Sequence, residues 1–358
     1  MNILYDSQIF MLQRYGGISR YFYELIRYLI PLESILLHVG FNSNRYGISS
    51  LKGYKKIWGH HIKDMKGKTR LWSYLNALHF KYFAWHEDVD IYHPTYYENH
   101  EIHGAKKVVT VYDMIHELFP QEFLGDRTAE KKAKILRDAD GIIAISESTK
   151  KDLMRLFDIP QEKIRVIYLA NSLSASRQNA LVVEMPYLLY VGNRSGYKNF
   201  MGFAQAFAGS QYKNDVQLVC FGGGEFTKNE RESLIRIGIW ERTVYCSGGD
   251  DVLSNLYQFA AAFVYPSIYE GFGLPLLEAM HHGTPVLTGE TSSIPEVAGD
   301  AAEYFNPNEP ESIREVMDGL LSDSDRRQEL RVKGREREKM FSWQRCAEET
   351  LDFYRVLR

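Results

Sequence analysis

Short apolar runs alternate with longer stretches of helical period along most of the chain. In the first half the runs are NILY (2–5), SILLHVG (34–40), IYHPTYY (91–97), KVVTVYD (107–113), GIIAIS (141–146) and IRVIYLA (164–170). Between them, GISRYFYELIRYLI and SESTKKDLMRLF repeat their apolar residues at helical spacing. Runs of strand length separated by helices predict a doubly wound parallel sheet. Residues 171–186, NSLSASRQNALVVEMP, are rich in Ser, Asn and Ala and read as a linker. A second series follows: YLLYVG (187–192), QLVCFGGG (217–224), TVYCSGG (243–249), AAFVYPS (261–267) and TPVLTG (284–289). The pattern predicts an α/β protein of two Rossmann-like domains, residues 1–175 and 185–340, with a helical segment at 341–358.

A chain of 358 residues is long enough for two such cores. A net charge of -3 gives no global attraction to nucleic acid or anionic lipid. No run approaches the roughly 18 apolar residues of a membrane span. The N-terminal MNILYDSQIF has no basic stretch ahead of an apolar one, so it reads as a first strand rather than a signal peptide. Cys220, Cys246 and Cys346 are scattered, which points to a reducing, cytoplasmic setting rather than a disulfide framework or a zinc site.

Open parallel sheets bind ligands beyond the carboxyl ends of their strands, and two such domains would do so in the cleft between them. The candidate residues are therefore those that follow strands. Arg194 and Lys198 sit four apart in NRSGYKN, ahead of a helix, and suit a diphosphate; an exposed basic turn is the plain alternative. Gly222 and Gly223, in GGGE, allow either a tight turn or a close backbone approach to a ligand. In YEGFGLPLLEAMHHGTPV, Glu270 precedes a helix. Pro275 suits its first position, Glu278 its first turn and Gly283 its stop. Two carboxylates could form an acid/base pair, whereas an acid in a first helical turn needs no function at all.

In the first half, Gly16 and Gly17 could offer backbone N–H groups to an anion. Tyr112 and Asp113 end one strand, with His116 nearby, and His93 occupies a parallel position; a lone histidine is more often structural. Ser146 and Thr149 suit either the site or a helix cap. The triplets DVD (88–90) and DAD (138–140) precede strands, the wrong end for a site, so neither is read as a metal site.

Taken in order, the GGIS loop, ISESTKKDL, YVGNRSGYKN, PSIYEGFGLPLLEAMHHGTPV and SSIPEVAGDAA resemble the retaining glycosyltransferases of family 4. The resemblance spans nearly the whole chain. It implies the GT-B fold, two Rossmann-like domains facing across a cleft, with the C-terminal helix packing back towards the first. It implies a nucleotide-sugar co-substrate, with no metal or other cofactor. Arg194 and Lys198 match the diphosphate-binding pair. Glu278 matches the glutamate on the ribose and Glu270 the one near the sugar hydroxyls. The backbone of Gly271, Phe272, Gly273 and Leu274 would complete the cradle. The loop at Gly16 and Gly17 would approach the diphosphate and acceptor. Tyr112-Asp113 stands where many members carry His-Asp, so a phenol replaces an imidazole beside the donor sugar.

The similarity to a mannosyltransferase-like branch implies transfer of mannose from GDP-mannose to a surface-polysaccharide glycan or lipid-linked oligosaccharide. A UDP-sugar donor, an idle nucleotide-sugar-binding subunit and a GT-B enzyme of another reaction, such as an epimerase, are the alternatives. Residues 51–82 hold eight Lys or Arg against Asp64 alone, interleaved with aromatics. That composition suits peripheral contact with the anionic inner face of the cytoplasmic membrane, or a solvated basic loop and helix. No nucleic-acid module accompanies it.

Overall fold

The computed structural model describes residues 1–62, 69–174, 183–194 and 196–358, with residues 69 and 70 as backbone only. It forms two compact units, Met1–Leu169 with Ser342–Arg358, and Ala170–Phe341. Half of the segment read as a linker, 175–182, lies outside the described residues.

The first unit carries β1 (Asn2–Tyr5), β2 (Ser34–Asn42), β3 (Lys56–His61), β4 (Ile91–His93), β5 (Lys106–Val111), β6 (Gly141–Ala144) and β7 (Ile164–Val166). They form one sheet in the order β3-β2-β1-β4-β5-β6-β7, and every pairing is parallel. The second unit carries β8 (Tyr187–Val191), β9 (Gln217–Phe221), β10 (Thr243–Cys246), β11 (Ala262–Tyr265), β12 (Val286–Gly289) and β13 (Ala302–Phe305). Their order is β10-β9-β8-β11-β12-β13, again all parallel. Helices cover both faces of a parallel sheet, which is why the central strands are apolar at consecutive positions. Ile3, Leu4 and Tyr5 of β1 and Leu188 and Leu189 of β8 have no exposed surface.

The apolar runs located most of the strands, with these differences. IYHPTYY pairs only over Ile91–His93 and IRVIYLA only over Ile164–Val166. Pro94 has no N–H to give, and Thr95 turns its own to the Asp6 carboxylate at 3.0 Å. The edge strand β3, KIWGHH, was hidden by its lysine, histidines and glycine, the usual composition of a protected edge. The edge strand β13 is short and only half apolar in burial.

The two DxD triplets anchor strand starts. Asp90 accepts from the Asn2 N–H at 2.7 Å, and Asp140 from the Lys107 N–H at 2.8 Å. No helix among the described residues is long and apolar enough to cross a membrane.

The C-terminal helix, Trp343–Leu357, belongs to the first unit. The Ser342 hydroxyl caps it, and it packs on the helix Gly17–Leu29 and against the start of β6. A Cβ on Gly141 would lie 2.5 Å from Leu357 Cδ1 and 2.7 Å from Phe353 Cζ. Gly141→Val suits a strand yet overlaps both side chains. It should lower the first unit's stability by about 1–3 kcal/mol, read as a lower urea midpoint by circular dichroism. An unchanged midpoint would show that the helix end yields without cost.

Candidate active site

In the second sheet the strand order reverses between β8 and β11, which are hydrogen-bonded neighbours. Such a reversal splays the following loops apart and opens a crevice at the carboxyl edge. The segments leaving these two strands are Gly192–Lys198 and Pro266–Gly273, so the fold brings the two strongest sequence motifs to one edge.

After β9, Gly222, Gly223 and Gly224 take φ values of +81°, +70° and +78°. Three consecutive left-handed residues are tolerable only for glycine. A Cβ on Gly223 would also lie 2.7 Å from the Gly192 carbonyl oxygen. The Arg194 guanidinium pins this turn. Nη1 donates to the Gly222 carbonyl at 3.0 Å, and Nη2 to Gly224 at 2.8 Å and Glu225 at 3.1 Å. Nε pairs with Glu230 at 2.9 Å, and the group lies 4.4 Å from the Phe226 ring centroid. Arg194 is only 6% exposed. The expectation that it grips a diphosphate needs correction to that extent: its planar fork is engaged with carbonyls and shapes the loop.

Lys198 is the more accessible cation. Its Nζ meets Glu270 Oε1 at 2.6 Å and lies 5.2 and 5.7 Å from the Tyr197 and Tyr265 ring centroids. Glu270 raises the Tyr265 phenol, already pushed up by burial, so Tyr265 stays neutral. The loop around Glu270 is braced from the SSIPEVAGD segment. The Ser292 hydroxyl accepts from the Glu270 N–H at 2.9 Å, and Ser293 Oγ lies 3.0 Å from the carbonyls of both Glu270 and Phe272. Phe272 turns inward onto Phe341. Gly273, at φ +104°, then starts the helix Leu274–His281.

Pro275 is the second residue of that helix, so Glu278 falls beyond the first turn, not within it as expected. The helix-dipole reason for an acid therefore does not apply to Glu278. Its Oε2 accepts from the buried Tyr257 hydroxyl at 3.1 Å. Its carbonyl receives His282 Nδ1 at 2.7 Å, and Ser254 Oγ stands 2.6 Å from Nε2. Burial holds His282 below the ordinary histidine range. Tyr257 and His282 were not anticipated from sequence.

In the first unit the order reverses between β1 and β4. Asp6, just past β1, fills that point with its own partners: Thr95 Oγ1, Tyr92 Oη and Gln8 Nε2, each at 2.6 Å. His93 is corrected to a structural residue. It has no exposed surface, and its Nδ1 meets the Tyr354 hydroxyl at 2.6 Å and its Nε2 Thr110 Oγ1 at 2.8 Å. Tyr354 in turn lies 3.0 Å from Tyr5 Oη, so this chain stitches the C-terminal helix to the sheet. Burial pushes His93 down to about 3, and His38 likewise.

Of its two readings, Ser146 takes the helix cap: it is buried and accepts from the Thr149 N–H at 2.9 Å. The helix that begins at Gly17 is capped by the preceding Gln13, whose Oε1 accepts from the Ser19 N–H at 3.0 Å. Tyr112 packs its ring against Tyr21 and Tyr97, and burial keeps its phenol protonated. Asp113 is half-buried, and Oδ1 accepts from the Ile115 N–H at 3.2 Å. Behind it Lys132, with no exposed side-chain surface, holds the Asp113 carbonyl at 2.9 Å and Glu117 Oε2 at 2.8 Å. That pair was not anticipated from sequence.

Residues 15–170 match the family model Glycosyltransferase Family 4, and residues 173–337 match Glycosyl transferases group 1. The chain belongs to glycosyltransferase family 4. It is 28% identical over 368 residues to O-antigen chain mannosyltransferase B of Escherichia coli, across 95% of this chain and 96% of that one. It is 26% identical to O-antigen chain mannosyltransferase RfbU of Salmonella typhimurium over 60% of each chain. Among solved structures, sucrose-phosphate synthase of Thermosynechococcus elongatus superposes with a TM-score of 0.78 at 19% identity, covering 99% of this chain and 98% of that one. WaaG, a glycosyltransferase of lipopolysaccharide biosynthesis, gives 0.74 at 17%, covering 99% of each. The fold is GT-B, and this family-4 chain is a hexosyltransferase.

Two outcomes follow from these electrostatics. Arg194→Lys keeps the charge but loses the fork that holds Gly222–Glu225. Affinity for a nucleoside diphosphate, measured by calorimetry, should fall by about tenfold or more, ~1.4 kcal/mol; an unchanged value would make Arg194 a simple point charge. His93 and His38 are neutral in the fold but take up protons once unfolded. The unfolded chain therefore binds more protons below about pH 6.5, and stability declines as pH falls from there towards about 3. In His93→Gln the slope of denaturation midpoint against pH should be shallower; an equal slope would exclude His93 as a contributor.

Proposed function

We propose that this enzyme moves mannose from GDP-mannose to a growing surface-polysaccharide glycan or lipid-linked oligosaccharide, with retention of configuration and without a metal. The observation that carries the reading is the Lys198–Glu270 pair at the strand-order reversal, beside the N-terminus of the helix Leu274–His281. The sugar is assigned from the mannosyltransferase relatives.

A nucleoside diphosphate leaves as charge builds on its phosphate oxygens. A fixed cation and the positive end of a helix stabilise that charge in advance. Lys198 supplies the cation once it exchanges Glu270 for phosphate. The exchange frees the Glu270 carboxylate for the hydroxyls of the sugar, whose anomeric carbon becomes oxocarbenium-like. The acceptor hydroxyl attacks from the same face and passes its proton to the departing phosphate. Glu278, oriented by Tyr257, takes the ribose hydroxyls. Arg194 acts by holding the glycine turn in shape. Asp90 and Asp140 are engaged with backbone N–H groups at strand starts, away from the carboxyl edge, which supports a mechanism that does not use the DxD triplets.

On the acceptor side, Asp113 stands at the end of β5 in a turn fixed by Lys132. The basic stretch 51–82, of which 63–68 lie outside the described residues, suits contact with an anionic membrane bearing a lipid-linked acceptor.

Glu270→Ala should lower kcat by about a hundredfold or more while GDP still binds, since Lys198 remains. Wild-type turnover would remove Glu270 from the reaction. In a thermal-shift screen, GDP and GDP-mannose should raise the melting temperature more than UDP, ADP and their sugars; at a hundred times Kd the gain is about 2.7 kcal/mol. A larger shift with UDP would reassign the donor.

A further inference from the structure

The helix Thr69–Trp85 is apolar on two opposite faces. Its inner face buries Phe80, Phe83 and Ala84 against Leu4, Leu36 and Tyr92. Its outer face carries Leu71, Tyr74, Leu78, Tyr82 and Trp85, with exposures of 54, 62, 49, 65 and 86%. Their spacing places all five within one stripe about 20 Å long. Isolated apolar residues at a surface are ordinary, but a continuous stripe of this kind marks a contact surface.

We infer that this stripe is a lipid-inserting face that seats the first unit in the headgroup and acyl boundary of an anionic bilayer. The inference rests on the membrane reading above and deepens it, moving the contact from the lysines alone to a defined apolar line. Three observations select lipid as the occupant. Tyr and Trp, the side chains that favour a membrane interface, supply three of the five positions. No Asp or Glu occurs between Asp64 and Glu87, and the exposed cations Lys52, Lys55, Lys56 and Lys81 lie on or close in sequence to the helix. Glu87 pairs with Lys56 at 2.7 Å and lies 3.8 Å from Lys55, so Glu87 and the exposed Asp88 stand against four exposed lysines and the surroundings stay positive. A two-fold dimer through the same stripe would bring two such cationic surroundings together, whereas an anionic headgroup layer neutralises them.

The test uses the full chain and vesicles of phosphatidylcholine with about one-third phosphatidylglycerol, a mixture that supplies both apolar depth and surface charge. Flotation should recover wild-type protein with these vesicles. Tyr82→Ser/Trp85→Ser, at exposed positions that leave the inner face intact, should lower the partition coefficient by about tenfold or more, with the melting temperature and the GDP-induced shift unchanged. Bromines on the acyl chains should quench Trp85 emission, read as the difference between wild type and Trp85→Phe.

Lys55→Glu/Lys56→Glu separates the two readings. If charge reversal releases the protein but the stripe variant floats like wild type, the membrane reading stands and the inserting stripe is overturned. The same holds if acyl bromines leave Trp85 unquenched. If wild type does not float and forms dimers that the stripe variant breaks, a second copy is the occupant and both are overturned.

Discussion

Parallel pairing in every strand of both sheets is the constraint on which the site depends. A parallel strand cannot be followed directly by its neighbour, so each is joined by a crossover, and all carboxyl ends gather at one edge of the sheet. Where the order reverses, between β8 and β11, the two departing loops diverge instead of covering the same face. Lys198 leaves one strand and Glu270 the other, 72 positions apart in sequence, and they meet at 2.6 Å. The equivalent point in the first unit lies between β1 and β4. There Asp6 binds Thr95, Tyr92 and Gln8 and fills the opening from within. One topology thus yields the edge to which we assign the donor in one unit and a closed polar knot in the other.

Charge balance gives the edge between β8 and β11 its character. A buried or half-buried cation is costly unless paired, and each candidate cation has a carboxylate partner: Arg194 with Glu230, and Lys198 with Glu270. The pairs differ in what else holds the cation. Arg194 also binds three carbonyls of the glycine turn, a planar task that a lysine cannot reproduce. Lys198 has a flexible stem, so exchanging one anion for another costs it little. The same division of labour recurs around Asp113, where the immobile Lys132 fixes a backbone turn rather than a ligand.

Much of this was legible in the sequence. The strands of both cores were visible because residues buried on both faces leave continuous apolar runs. The motif YEGFGLPLLEAM was located correctly before a helix because glycine and proline have few other uses there. Two of the four edge strands, β3 and β13, were not legible: β3 carries a lysine, two histidines and a glycine in six residues, which breaks any apolar run. Nor were roles that depend on partners distant in sequence. His93 resembled a site residue because it lies at the end of a strand, but Tyr354, 261 positions away, claims one of its nitrogens. Glu278 resembled a dipole-stabilising acid until the helix start moved it past the first turn.

By itself, then, the sequence determined the class of fold, the membership of the family and the segments from which a donor site could be built. These follow from local period and from short motifs, each a property of neighbouring residues. Tertiary structure decided which charges meet, which histidine is sealed and which helix face is left apolar and bare. Those outcomes rest on contacts between residues tens to hundreds of positions apart, set by strand order and helix packing. No local pattern records which neighbour will supply a partner or withhold one.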